Sequence, residues 1–392
     1  MRNMRNLIIY TGNFSEPEGN AAGKRVFGNA LIFESLGYDV LMVGKSEKYE
    51  PNKRIHYSDG ISFMSYPRYR KVDDAKYISF LKKTINDMNV KPYCIIRYGT
   101  PGLAWFYPRL SLLSKKMKVP VVADVVDWLS ADGNNILFNS VKNLDTFLGK
   151  KIFNKSCDGM IVISSYLERY YRKSINRIVV IPPIVRENKR NESDNKTVKI
   201  IYAGQPFRLG VRVVNTNKIK DRLDIAVIAF SKLAEECQGR FEFHIYGITK
   251  EQYVFAFPNH NHYANSEAII FHGRKPMDEV QQEICKSDYS ILLREKNRTT
   301  MAGFPTKVVE SITCGTPIIT TRTSDLEQYL VQSENCFFVN IKDMEELISQ
   351  LKTIVLLEPE NISKMKERCY REKIFLPECF SEKMDLFLKS LE

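Results

Sequence analysis

Short apolar runs alternate along this chain with longer stretches whose apolar positions recur every three or four residues. In the first half, Leu7–Tyr10, Val40–Val43, Ile61–Tyr66, Tyr93–Arg97, Pro120–Asp124, Gly159–Ile163 and Ile178–Ile181 read as strands. Between them, Ala21–Leu36 carries Val26, Phe27, Ala30, Leu31 and Phe33 near a helical period and stops at Gly37, as a helix does. Tyr77–Met88, Gly102–Met117, Leu144–Ser156 and Leu167–Lys173 are read as helices in the same way. Strands that are apolar throughout, separated by helices, predict a mostly parallel sheet covered on both faces.

After Pro182-Pro183 the pattern lapses. Residues 186–197 begin with a run, Arg186–Lys196, that has no apolar side chain and reads as a linker. The alternation then restarts. Val198–Tyr202, Phe241–Tyr246, Ala268–Phe271 and Tyr289–Leu293 are the next strands, and Leu223–Glu236 and Met277–Lys286 the next helices. Asp325–Val331, Asp343–Leu356 and the tail from Phe380 also read as helices. The expected division is a first Rossmann-like domain over 1–185, the linker, and a second over 198–375. Residues 376–392 should form a terminal helix that packs back on the first domain. Two doubly wound α/β domains facing across a cleft is the architecture this implies, because open parallel sheets bind ligands beyond the carboxyl ends of their strands.

Charge adds a second division. Residues 1–185 hold 28 Lys+Arg and 16 Asp+Glu, a net of +12, whereas 186–392 hold 30 of each and are neutral. The basic clusters are Arg68/Arg70/Lys71, Lys82/Lys83, Lys115/Lys116/Lys118 and Lys150/Lys151/Lys155, with Tyr77, Phe80, Trp105, Phe106 and Tyr107 close to two of them. Basic and aromatic residues together suit an anionic membrane surface or nucleic acid, and a solvated surface on a basic protein has the same composition. No run approaches the ~20 apolar residues of a membrane span, and Leu7–Tyr10 is too short for the apolar part of a signal peptide. A cytoplasmic protein, peripheral on the inner face of the membrane, is expected. The eight cysteines are scattered without Cys-x-x-Cys spacing and read as buried thiols. His260 and His262 lack a third ligand nearby, so no metal is expected.

The richest segment is Gly303-Phe304-Pro305-Thr306-Lys307-Val308-Val309-Glu310-Ser311-Ile312-Thr313-Cys314-Gly315. A turn runs into a short helix, whose free N–H groups and dipole suit a phosphate. Lys307 adds charge in the first turn. Glu310, three residues on, lies on the same face, where it can accept from sugar hydroxyls. This segment resembles the nucleotide-sugar site of family-4 retaining glycosyltransferases, which have the GT-B fold. In that family a glutamate matching Glu310 holds the ribose. The family's other glutamate falls on Ala302, so the sugar-contacting carboxylate is missing. The chain looks more like a subgroup with an arginine-rich loop before Gly-Phe-Pro-Thr-Lys, and here Arg294 or Arg298 would take over the polar role.

The resemblance implies further site residues. Gly204, after the strand at Tyr202, would let the backbone approach the donor. A basic residue beyond this turn would bind the diphosphate: Lys220, read as opening the next helix, or failing it Arg208. Gly273 and Arg274 would border the base. Gly12, Gly19, Asn20 and Gly23 form a loop that would lie near the acceptor. That loop matches neither a P-loop nor a dinucleotide fingerprint, so no nucleotide cofactor is expected. Asp127, with Trp128 beside it, would orient the acceptor hydroxyl or take its proton. Catalysis would rest on Asp127, Arg294 and Lys220, without a metal.

The implied function is transfer of a sugar from a nucleotide-diphosphate donor to a glycan or a polyprenyl-pyrophosphate-linked glycan, in cell-surface polysaccharide biosynthesis. Partners would be the donor, that acceptor and an anionic membrane, with no nucleic acid. A nucleotide-sugar epimerase or hydrolase of the same fold, or a basic nucleic-acid or membrane-binding protein, remain the alternatives.

Overall fold

The computed structural model describes residues 6–17, 20–45, 50, 53–66, 74–99, 106–128, 136–187 and 196–392. The Arg68/Arg70/Lys71 cluster, Gly19, Trp105 and most of the linker lie outside them. Two compact units emerge. The first comprises residues 1–186, 302–304 and 375–392, and the second 187–301 and 305–374.

The first unit is built on a sheet of eight strands: β1 (Leu7–Gly12), β2 (Asp39–Gly44), β3 (Arg54–His56), β4 (Ile61–Ser65), β5 (Cys94–Tyr98), β6 (Val121–Val125), β7 (Gly159–Val162) and β8 (Ile178–Val180). Their order is β3-β4-β2-β1-β5-β6-β7-β8. The apolar runs become strands buried on both faces; Ile8, Ile9 and Tyr10 are wholly inaccessible. β3, which the apolar pattern does not announce, pairs antiparallel with β4 through Ile55↔Phe63. It sits at the sheet edge, where one apolar residue between Arg54 and His56 suffices.

Helix boundaries depart from the sequence reading where polar chemistry intervenes. The helix expected over Leu144–Ser156 begins earlier, at Ile136, and runs α-helical only to Leu148. From Gly149 to Phe153 it widens into a π-turn and then tightens into a 3₁₀ turn at Asn154–Ser156. Buried Asn154 explains where it ends: its amide accepts from Arg97 at 2.7 Å and donates to Tyr171 at 2.9 Å, which fixes the chain there. The terminal helix Ser381–Lys389 lies on the first unit. Phe387 and Leu391 fill the space beside Gly159, and the Leu388 carbonyl accepts from Tyr93 at 2.8 Å.

The second unit has six parallel strands: β9 (Val198–Ala203), β10 (Phe241–Tyr246), β11 (Ile269–Gly273), β12 (Tyr289–Leu292), β13 (Ile318–Thr320) and β14 (Cys336–Phe338). Their order is β11-β10-β9-β12-β13-β14. The amphipathic helix Leu223–Glu236 packs Phe230 against Phe241 and Phe243 of β10, at ring distances of 5.4 and 4.6 Å. On the other side of β9, Ile201 joins Tyr246, Ile284, Cys285 and Cys314. The helix expected over Asp325–Val331 shrinks to one 3₁₀ turn at Leu326–Gln328. Buried Leu326 and Leu330 anchor it, and the Asn335 side chain takes the Val331 N–H at 2.8 Å and turns the chain toward β14.

In both sheets the strand order reverses direction at one point: between β1 and β5 in the first unit, and between β9 and β12 in the second. The helices on either side leave for opposite faces there, which opens a crevice at the carboxyl ends.

Candidate active site

At the β9/β12 switch point the second unit gathers its buried charge. Lys307, in the first turn of helix Thr306–Thr313, reaches back over the end of β9. Its ammonium donates to the Tyr202 hydroxyl at 2.8 Å and to Asp221 Oδ2. It also sits over the Tyr202 ring, 4.2 Å from the centroid. Tyr202 in turn donates to the same Asp221 oxygen at 3.0 Å. From the segment just after β12, Arg294 Nε donates to the other oxygen, Oδ1, at 2.8 Å.

Room for this comes from Gly204. Its φ is +135°, and a Cβ there would lie 2.5 Å from Lys307 Cε and 2.6 Å from Nζ. Only glycine fits both the conformation and the space.

Asp221 is 7% exposed. Burial pushes its pKa up, but Lys307 and then Arg294 outweigh burial and hold it well below the usual carboxylate range. Burial, reinforced by Asp221, raises the Tyr202 phenol far out of reach of physiological pH. Burial also pulls the Lys307 ammonium down, against Asp221. Asp221 therefore stays ionised despite its burial, because two cations face the one carboxylate.

The Arg294 backbone is fixed as well. Its N–H goes to Thr321 Oγ1 at 3.1 Å, and its carbonyl accepts from the same hydroxyl at 2.7 Å. The loop beyond closes with a reciprocal pair: Asn297 N–H to Thr300 Oγ1 and Thr300 N–H to Asn297 Oδ1, both 3.0 Å. Glu310 is half-buried. With Lys307 it lines a small concavity that includes Ile201, Ala203, Ile284 and Ser290.

Several residues named from the sequence take other places. Lys220 does not open a helix: it is exposed in a bend, and the helix begins at Leu223. Its neighbour Asp221 points inward instead, because the strand-end cations attract a carboxylate. Arg208, Arg274 and Arg298 are exposed, and Arg298 starts the short helix Arg298–Ala302. Gly303, Phe304 and Pro305 are buried, and Phe304 packs edge-on against Phe375 at 5.9 Å. Thr306 opens the motif helix. Gly273 ends β11 and is buried.

In the first unit, Gly12 ends β1 at the switch point. Asn20 caps helix Ala21–Ser35 by accepting from the Gly23 N–H at 2.9 Å, and Gly23 itself packs against the Glu16 carbonyl. Asp127 and Trp128 follow β6, partly exposed. Trp128 packs edge-on against Tyr166 and Tyr170, with Lys150 4.4 Å from its centroid.

A network that sequence reasoning did not find centres on Asp124. It receives Arg25 at 3.1 Å, Asn29 at 3.3 Å and the Tyr10 hydroxyl, all buried. Arg25 also donates to the Ile181 and Pro182 carbonyls at 2.7 and 2.6 Å. This locks the chain leaving β8 to the body of the unit. Seven cysteines are buried free thiols and Cys379 is exposed. His260 stacks on Phe257 and hydrogen-bonds Tyr253 at 2.9 Å. Among the described residues no cluster of His, Cys, Asp or Glu could hold a metal, and no helix is long and apolar enough to cross a membrane.

Residues 211–372 match the family model "Glycosyl transferases group 1". No curated protein sequence matches the chain. Among solved structures, sucrose-phosphate synthase from Thermosynechococcus elongatus superposes with a TM-score of 0.70 at 13% identity, over 99% of both chains. Anabaena HepE in complex with UDP and glucose gives 0.63 at 10% identity, over 98% of this chain and 100% of that one. The trehalose-6-phosphate synthase OtsA gives 0.66 at 10%, over 98% and 99%. The two parallel-sheet units are those of the GT-B fold. Residues 211–372, which lie almost wholly in the second unit, are the part of the chain that matches group 1 glycosyltransferases.

Proposed function

We propose that the protein is a retaining glycosyltransferase that takes its sugar from a nucleoside-diphosphate donor held at the β9/β12 switch point. The observation that supports this most directly is the Lys307–Asp221–Arg294 group beside Gly204, which sets two cations at the crevice where a diphosphate would lie. Lys307 and Arg294 are the proposed diphosphate partners, with the turn at Gly303–Thr306. Glu310 is the proposed ribose acceptor, and Gly273 and Arg274 border the base. Asp127 and Trp128 are proposed on the acceptor side.

The proposed acceptor is a growing surface glycan, free or carried on a lipid pyrophosphate. The first unit favours the lipid-linked form. Leu144, Phe147 and Ile152 are each at least half exposed along one helical stretch, which also carries Lys150, Lys151 and Lys155. Apolar side chains among lysines suit an anionic lipid interface.

Incubation with UDP-, GDP- and dTDP-sugars tests the reading. Stabilisation by one nucleotide with transfer to an added acceptor is the expected result. Stabilisation with hydrolysis or epimerisation alone would select the alternative enzyme, and no stabilisation by any nucleotide would overturn both.

A further inference from the structure

We propose that Asp221 is a positioning carboxylate for the donor diphosphate: without touching the nucleotide, it holds Lys307 and Arg294 so that their remaining N–H groups are available together. This rests on the donor-site reading above. Each oxygen of Asp221 serves a different cation, Oδ2 the ammonium of Lys307 and Oδ1 the Nε of Arg294. Tyr202 closes the ring by bonding both Lys307 and Asp221.

These contacts leave donors unspent. Arg294 engages Asp221 through Nε alone, and among the described residues its two Nη groups make no hydrogen bond. Lys307 uses two of its three N–H groups. Two cations and one carboxylate leave the group with one positive charge in excess. What remains suits a doubly oxygenated anion with more than one charge.

Without the carboxylate, two cations packed side by side in a poorly hydrated crevice would repel and swing toward water. Lys307 would also leave the slot under Gly204. Asp221 therefore offsets that repulsion at the expense of placing a negative charge near an anion site. A positioning role reconciles these two facts, because pre-set donors need no reorganisation when the diphosphate arrives.

The opposing signs make a test. Asp221→Asn removes a negative charge, so charge alone predicts tighter binding of an anion. Positioning predicts the reverse. The full chain, wild type, Asp221→Asn and Asp221→Glu, is titrated by calorimetry with UDP, GDP and dTDP. For the tightest of these, the matching nucleoside is measured by competition. The expected result is that Asp221→Asn weakens the diphosphate tenfold or more, leaves the nucleoside unchanged, and that Asp221→Glu recovers part of the loss. Equal or tighter diphosphate binding by Asp221→Asn overturns the inference. Parallel loss of nucleoside and diphosphate binding also overturns it, since Asp221 would then serve only the fold. If Asp221→Asn does not fold, Asp221→Glu decides: it keeps the charge and displaces it by one methylene, and unchanged diphosphate affinity would exclude positioning. A wild type that binds none of the three overturns the donor-site reading itself.

Discussion

Gly204 and Lys307 occupy one another's space. The glycine's missing side chain is the slot through which the lysine reaches Tyr202 and Asp221, residues that lie far from it in sequence.

Gly204→Ala should therefore do two kinds of harm. The backbone at φ +135° strains any side chain, at about 1–3 kcal/mol, and the new methyl displaces Lys307. We expect a lower denaturation midpoint together with weaker nucleotide binding. Retention of full nucleotide affinity would show that Lys307 need not stay in its slot.

The Asp221 pair should be visible in the acid dependence of stability. Its carboxyl is depressed in the fold, so its stabilisation is complete above the free carboxylate value of about 3.9 and is lost as the pH falls through the lower folded value. Thermal unfolding of wild type and Asp221→Asn should differ most near neutral pH and converge in acid. A gap that stays constant down to pH 3 would mean the ionised form is not what stabilises.

Three substitutions rank the donor-site residues. Lys307→Ala and Glu310→Ala should each weaken nucleotide binding roughly tenfold to a hundredfold, the loss of one charge-assisted hydrogen bond at ~1.5–3 kcal/mol. Lys220→Ala, exposed and outside the helix, should change it less. The reverse ranking by calorimetry would return the diphosphate to Lys220.

Ala302→Glu would supply the glutamate that the resemblance to family-4 enzymes leads one to expect at this position, but the fold resists it. Ala302 is fully buried and its carbonyl accepts from Ser164 at 2.6 Å. A carboxylate there would be taken out of water, at a desolvation cost of several kcal/mol. We expect poor folding rather than a gain in sugar selectivity, read by the soluble yield and the unfolding temperature.

For the lipid interface, Phe147→Ser should reduce binding to anionic vesicles while nucleotide affinity stays the same. Binding should also fall as salt rises, since surface attraction is screened over about 8 Å at physiological ionic strength. Equal binding to neutral vesicles would argue against the lysines, and absence of binding to either would favour a soluble glycan acceptor.

The strands were legible because parallel sheets demand unbroken apolar runs, and helices such as Leu223–Glu236 and Met277–Lys286 because their polar faces keep the helical period. β3 and β14 were not: both are three-residue strands at the edge of their sheets. The motif helix was found from its turn and its glycine stop, but its charge partner was hidden. Asp221 stands next to a lysine and an arginine in sequence and looks solvated there. A signal did exist: a lysine in a helix's first turn opposes the dipole and calls for a compensating partner. Lys307, already legible as a first-turn lysine, is the residue to which it applies, while Lys220, read as opening the next helix, lies outside that helix.

Residues 375–392 belong to the first unit, filling the space beside Gly159 and holding Tyr93. A ribosome delivers the chain in order, and domains ordinarily fold as they emerge. Here the first unit waits. Its sheet can collapse early, but β7 keeps an open flank until Phe387 and Leu391 have been made, after the whole second unit has been synthesised. The later-encoded half is thus the one free to finish first, and expressing residues 1–186 alone would yield a unit missing part of its core.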